Sequence, residues 1–234
     1  MKQNADRLSI ALAASHSLAL RLDEPAYPLA ALTCVQNWQR RRLAQTYADF
    51  VSQSRYSAAV EFFLQELYGG LNFRERDQQM EKVLPVMIRM LRDDMLLVVA
   101  QAFELQSLSL DFDMDMAELL RQRGWDALDT VRYAEIYRAC GRVPERKQQI
   151  ELICHLGQQL DRLVRHRLVL FLIKMLRGPA HAAGFGLLQT FLERGLNAFR
   201  AMGDGTEFIE AIGYRESLIM ERLLAGEAAP FADV

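Results

Sequence analysis

The chain has 234 residues, about half of them apolar, and its 28 basic and 30 acidic side chains leave a net charge of -2. This balance excludes a disordered, collagen-like or strongly polyanion-coating chain, so any nucleic-acid contact would have to come from a local patch. Leucine and alanine together number 64 against 26 for valine, isoleucine and threonine, which favours helix over sheet.

Residues 4–22 read as a first helix with Asn4 as its N-cap. Ser9, Ser15, His16 and Ser17 interrupt its apolar run and Asp6 spoils the basic leader that a signal peptide would carry. Pro25 and Pro28 mark a turn, and a second helix over residues 29–52 carries Trp38 and the triplet Arg40, Arg41 and Arg42. A third helix over residues 56–68 stops at Gly69 and Gly70. A fourth spans residues 74–105 with a kink at Pro85, and residues 107–113 read as a break. Asp115 and Glu118 then have capping-box-like spacing for a helix to about residue 123.

Further helices are expected over residues 126–140 and from Pro144 to residue 176, the latter broken near His166 and ended by Gly178 and Pro179. The last two cover residues 182–202 and 205–224, and residues 225–234 are expected to fray. The pattern predicts an all-α fold, a single globular bundle of eight or nine helices over residues 1–224. The punctuation at residues 141–144 is compatible with sub-bundles 1–141 and 144–224. The apolar run at residues 168–173 is far short of the roughly 20 residues that a membrane span needs, and no span is expected.

Phe62, Phe63, Leu64, Gln65, Glu66, Leu67 and Tyr68 read FFLQELY and are followed by Gly69 and Gly70. This segment resembles the bacterial proteins known by their motif as the FFLEELY family, with Gln65 in place of a glutamate. Arg55, Tyr56, Phe73, Arg76, Asp77, the stretch FLERGLNAF at 191–199 and YRES at 214–217 are similar to that family's surroundings. The resemblance implies a helical bacterial protein and supplies no reaction. On a helical projection, Tyr56, Ala59, Val60, Phe63, Leu64 and Leu67 form a buried stripe, with Glu61 and Gln65 facing water. Glu66 falls at the edge of that stripe and calls for a cationic partner, Arg74 or Arg76. Two readings of Glu66 stand: a structural ion pair, or the polar floor of a ligand site with Arg55, Tyr56 and Tyr68 nearby. Met80, Met87, Met90 and Met95 line the fourth helix, either as ordinary core or as an adaptable apolar groove.

The usual chemical signatures fail. Asp111, Asp113 and Asp115 begin like a calcium loop, but Met116 and Gln122 occupy the glycine and bidentate-glutamate positions, and a helix N-terminal charge bias explains the acids better. Glu151 and His155 lack the second pair that a helical di-iron site needs, and no metal or cofactor is expected. Cys154 and His155 diverge by about 100° on a helix, so they do not make a nucleophile and base. No GxGxxG, GxxxxGK[ST] or GxSxG occurs, and no catalytic residue is assigned. Cys34, Cys140 and Cys154 suit reduced thiols in a cytoplasmic protein. Acids close in sequence to Arg40–Arg42 and to Arg162, Arg165, His166 and Arg167 argue against nucleic-acid binding. With 24 arginines and four lysines, the expectation is helix-to-helix ion pairing.

These observations point to a non-catalytic binding module for an apolar or amphipathic ligand or a protein partner, lying between the motif helix and the Met-rich helix. The alternatives are a cofactor-free enzyme with acid-base chemistry around Glu66 and a structural subunit of a larger assembly. Homo-oligomerisation is compatible with any of the three.

Overall fold

The computed structural model describes residues 3–64, 82, 84–85, 87–89, 92–166, 171, 174–175, 177–182, 184 and 186–234. The described residues are predominantly helical, and no strand forms among them. The helices described are α1 (Gln3–Leu22), α2 (Leu29–Thr46), α3 (Ala48–Val51), α4 (Ser54–Phe62), α5 (Asp93–Gln122), α6 (Thr130–Cys140), α7 (Val143–Val164), α8 (Arg177–Ala182), α9 (Gly186–Met202) and α10 (Thr206–Ala225).

Helix α1 lies along the first half of α5. Ala5, Leu8, Ala11 and Leu12 recur at three- and four-residue steps and pack against Leu96, Ala100 and Phe103. Full burial of a leucine such as Leu8 contributes about 1.5–3 kcal/mol. Asn4 does not cap its own helix. Its side-chain Nδ2 donates to the Asp93 carboxylate at 2.7 Å and to the Asp93 carbonyl at 3.1 Å, tying the start of α1 to the start of α5.

The break expected at residues 107–113 is absent. Helix α5 runs unbroken for 30 residues, so Asp111, Asp113 and Asp115 sit mid-helix and owe nothing to a helix N-terminus. Asp111 and Asp115 lie one turn apart and both accept from Arg142, at 2.6 and 2.8 Å, so tertiary pairing outweighs their weak helix propensity. By length and composition α5 is apolar enough to cross a membrane, with 28% of its best 18-residue window buried. Here α1, α2, α6 and α7 pack along it.

The second expected helix divides at Tyr47 into α2 and α3, and the stop expected at Gly178 and Pro179 does not occur, because both lie within α8. Around α5, residues from α2, α6 and α10 form the largest core: Trp38, Met116, Tyr133, Ile136 and Ile219. This cluster draws residues from both sides of Gly141. A second, aromatic core joins α3, α4, α9 and α10 through Phe50, Tyr56, Phe62, Phe63 and Phe208. Phe62 widens the stripe expected on α4: a Cβ added at Gly195 of α9 would lie 2.8 Å from its ring, so the two helices approach closely where a side chain is missing.

The last residues, expected to fray, fold back instead. Pro230 is buried, and the Phe231 ring sits 5.5 Å from Trp38 and 6.1 Å from Tyr133. Arg222 fixes the segment by donating to the Ala232 carbonyl at 2.6 Å. The turn is made possible by Gly226, whose φ of 77° caps α10 in the left-handed region.

Candidate functional site

The conformation of Arg55 and Tyr56 at the start of α4 follows from two different demands. Tyr56 faces inward, edge-on to Phe50, and donates its hydroxyl to Glu207 at 2.5 Å. Arg55 lies over the Tyr56 ring and donates to the carbonyls of Met202 and Asp204 at 2.7 and 2.6 Å. Those carbonyls are the electronegative end of α9 and the turn that follows, where a guanidinium satisfies both geometry and helix dipole.

Beside this contact an open cleft of 570 Å³ is lined by Arg55, Asp204, Thr206, Glu207, Glu210, Ala211 and Tyr214. Asp204 accepts from the Thr206 amide at 2.9 Å and has Arg165 at 3.6 Å, and hydrogen bonding from Thr206, its side chain first and then its amide, holds the Asp204 carboxyl below the usual range. Glu210 makes no ion pair among the described residues, and Tyr214 is 69% exposed. Among the described residues, carboxylates outnumber cations in the cleft lining, and its one cation, Arg55, already bonds backbone carbonyls. The cleft therefore presents negative charge beside an exposed aromatic ring.

A second polar constellation lies inside the bundle. Asp113 on α5 is buried and accepts from Gln36 at 3.3 Å, with Gln39 also buried beside it. Burial pushes its carboxyl up to about 7, partly offset by those two amides and by the charge of Arg146. Arg146 on α7 is 4% exposed, stacks on Tyr137 at 3.6 Å and Phe112 at 4.5 Å, and donates from Nε to the Gly141 carbonyl at 3.3 Å. Its Nη2 is buried without a hydrogen-bond partner, as is the Tyr27 hydroxyl. Arg146 forms no ion pair with Asp113.

Of the residues singled out from the sequence, Arg55 and Tyr56 reach the cleft region. Glu66, Tyr68, Arg74, Arg76, Asp77, Met80 and Met90 lie outside the described residues. Met87 packs on the α1–α5 cluster, not on the aromatic core that receives α4, and Met95 is half-buried in the first turn of α5. Among the described residues, Met87 and the motif's Phe62 and Phe63 thus belong to different packed clusters. Glu61 is exposed, as its place on the helix requires. The similarity at residues 214–217 has a structural content: Arg215 pairs with Asp49 at 2.7 Å and Glu216 with Arg42 at 2.6 Å, pinning α10 to α2 and α3. Arg42 of the basic triplet is thus turned inward. In the other basic cluster, Arg165 pairs with Asp161 at 2.6 Å.

The cleft acids and the juxtaposition of Asp113 with Arg146 are not legible in the sequence. The one local signal was the spacing of Glu207, Glu210 and Tyr214, which places them along one exposed side of α10. No group of three or more His, Cys, Asp or Glu suited to a metal occurs among the described residues. Cys34, Cys140 and Cys154 are free thiols, and burial pushes the Cys140 thiol up to about 11, away from reactivity. No curated protein and no solved structure gives a significant match. A family model described as a domain of unknown function, DUF8198, matches residues 20–230, and the chain belongs to that family.

Proposed function

We propose that the chain is a bacterial, cytoplasmic, non-catalytic binding module that takes a cationic, amphipathic partner segment in the cleft between α4 and α10. The carrying observation is the lining itself: Asp204, Glu207 and Glu210 beside Ala211 and the exposed Tyr214, with Arg55 engaged elsewhere. An amphipathic helix with lysines on one face and leucines on the other matches that mixture of charge and ring. The half-buried free thiols support a reducing compartment. The likeness of residues 62–68 to the FFLEELY motif supports a bacterial source and belongs to the same proposal.

The test is calorimetric titration with a Lys/Leu amphipathic peptide of about 18 residues and with its Glu/Leu counterpart. The cationic peptide is expected to bind and the anionic one to fail. Glu210→Lys and Tyr214→Ala, both at exposed positions, should each weaken binding roughly tenfold. Equal affinity for both peptides, or affinity unchanged in Glu210→Lys, would overturn the reading.

A further inference from the structure

We propose that Asp113 and Arg146 form a proton-operated latch on the α6–α7 turn. With the Asp113 carboxyl neutral, Arg146 stays against Gly141 and Tyr137; with it ionised, Arg146 is drawn to Asp113 and the turn reseats.

Three features of the molecule carry this. First, a buried carboxyl and a buried guanidinium share the bundle interior without pairing, although an unpaired charge of either sign is costly there. Asp113 has only neutral amide donors, and Arg146 leaves Nη2 unbonded while its backbone bond to Gly141 is long at 3.3 Å. Second, the turn that Arg146 holds is poised. Gly141 has φ 63° and Arg142 has φ 57°, a left-handed conformation unfavourable for a side chain as large as arginine. Arg142 stays there because Asp111 and Asp115, on the same helix as Asp113, grip its guanidinium. Third, among the described residues Arg146 is the cation whose charge acts on Asp113. The groups around it are Gln36 and Gln39 on α2, Tyr27 before α2, Tyr133 on α6 and Arg146 on α7. On α1, Arg21 is turned to Asp111 at 3.5 Å, and on α2 Arg42 is paired with Glu216.

Among the described residues, a proton lost from Asp113 is therefore answered by Arg146. Moving that guanidinium removes a bond from the carbonyl of Gly141, the residue that caps α6, and a stacking contact from Tyr137. The burial of Asp113 places the switch near neutral pH, consistent with the upward shift that desolvation gives it.

The experiment is a carboxyl-carbon NMR titration of the full chain from pH 4.5 to 8.5, with the backbone amides of residues 138–146 followed in the same samples. Asp113 is expected to titrate near neutrality, above the other aspartates, and the turn amides to move with the same midpoint. Asp113→Asn should abolish that movement, and Arg146→Gln should leave the Asp113 titration in place while silencing the turn. The latch is overturned if Asp113 titrates in the ordinary carboxylate range, if it titrates while the turn stays still, or if the turn still moves in Asp113→Asn. Should the asparagine variant not fold, the coincidence of the two wild-type midpoints decides the matter.

Discussion

Tyr56 donates its hydroxyl to Glu207 at 2.5 Å, so one hydrogen bond joins the aromatic core under α4 to the acidic wall of the cleft. The Tyr56 ring is buried while Glu207 is exposed, and the bond to that carboxylate raises the phenol's pKa. The contact fixes the wall of the cleft to a packed interior instead of leaving it to a mobile side chain.

Tyr56→Phe keeps the ring and deletes the bond. Hydrogen bonds to charged groups contribute about 1.5–3 kcal/mol, and because Glu207 can turn to water the expected loss is at the lower end, about 1.5–2 kcal/mol. Urea unfolding should show a lower midpoint with an unchanged slope. A midpoint equal to wild type would mean that the bond adds nothing beyond hydration.

Arg42 and Glu216 form a second such bridge, with side chains 11% and 14% exposed and Tyr47 also donating to Glu216. Arg42→Met alone strands a buried carboxylate and should cost roughly 3–5 kcal/mol. Adding Glu216→Leu removes the stranded charge and should recover much of that loss. A double-mutant cycle in thermal unfolding checks this; purely additive losses would show that the two charges act independently.

The packing of α4 on α9 gives a contrast between two glycines. At Gly195 an added methyl would meet the Phe62 ring at 2.8 Å, whereas at Gly178 it meets nothing within 4 Å. Gly195→Ala should therefore destabilise by about 1–3 kcal/mol through overpacking. Gly178→Ala, in the open part of α8, should stabilise by about 0.5–1 kcal/mol through lower chain entropy in the unfolded state. Calorimetric melting temperatures moving in opposite directions would bear this out.

The helices were legible where the chain punctuates itself. Gly141, the residues around Gly203 and the break near His166 end elements close to where glycine and polar residues predict. The unbroken α5 was not legible, because Ser107, Ser109 and the alternating aspartates read locally as a break. Their helicity depends on Arg142, some 30 residues away along the chain, and on the burial of Asp113. The folded-back tail depends likewise on a Trp38–Tyr133 stack formed by two distant helices. The inward use of arginine was foreseeable as a tendency: Arg42, Arg142, Arg146 and Arg215 all serve contacts between elements. Which partner each takes is a property of the assembled bundle. The cleft eluded sequence reading for the same reason, since Arg55 and Glu207 meet only after α4 and α10 have packed.

The stability profile with pH should show two opposing trends. In the unfolded chain an aspartate titrates near 3.9, whereas burial pushes Asp113 up to about 7 in the folded chain. Between about pH 4 and 7 the folded chain keeps a proton that the unfolded chain has released, so stability falls as pH rises and levels off above about 7. The difference of about three units corresponds to an upper figure of about 4 kcal/mol. Asp49, hydrogen-bonded to Arg215, and Glu118, held at about 2 by Arg121 and Gln122, act in the opposite sense. Their folded-state values are depressed, so their contribution is present above the unfolded values and lost as pH falls towards about 2. Wild-type stability should therefore peak at about pH 4–5 and decline on both sides. Asp113→Asn cannot titrate at that position, so its profile should lose the decline between pH 4 and 7 while keeping the acid limb. Urea midpoints measured from pH 3 to 8.5 distinguish the cases: parallel wild-type and variant curves would place the proton elsewhere.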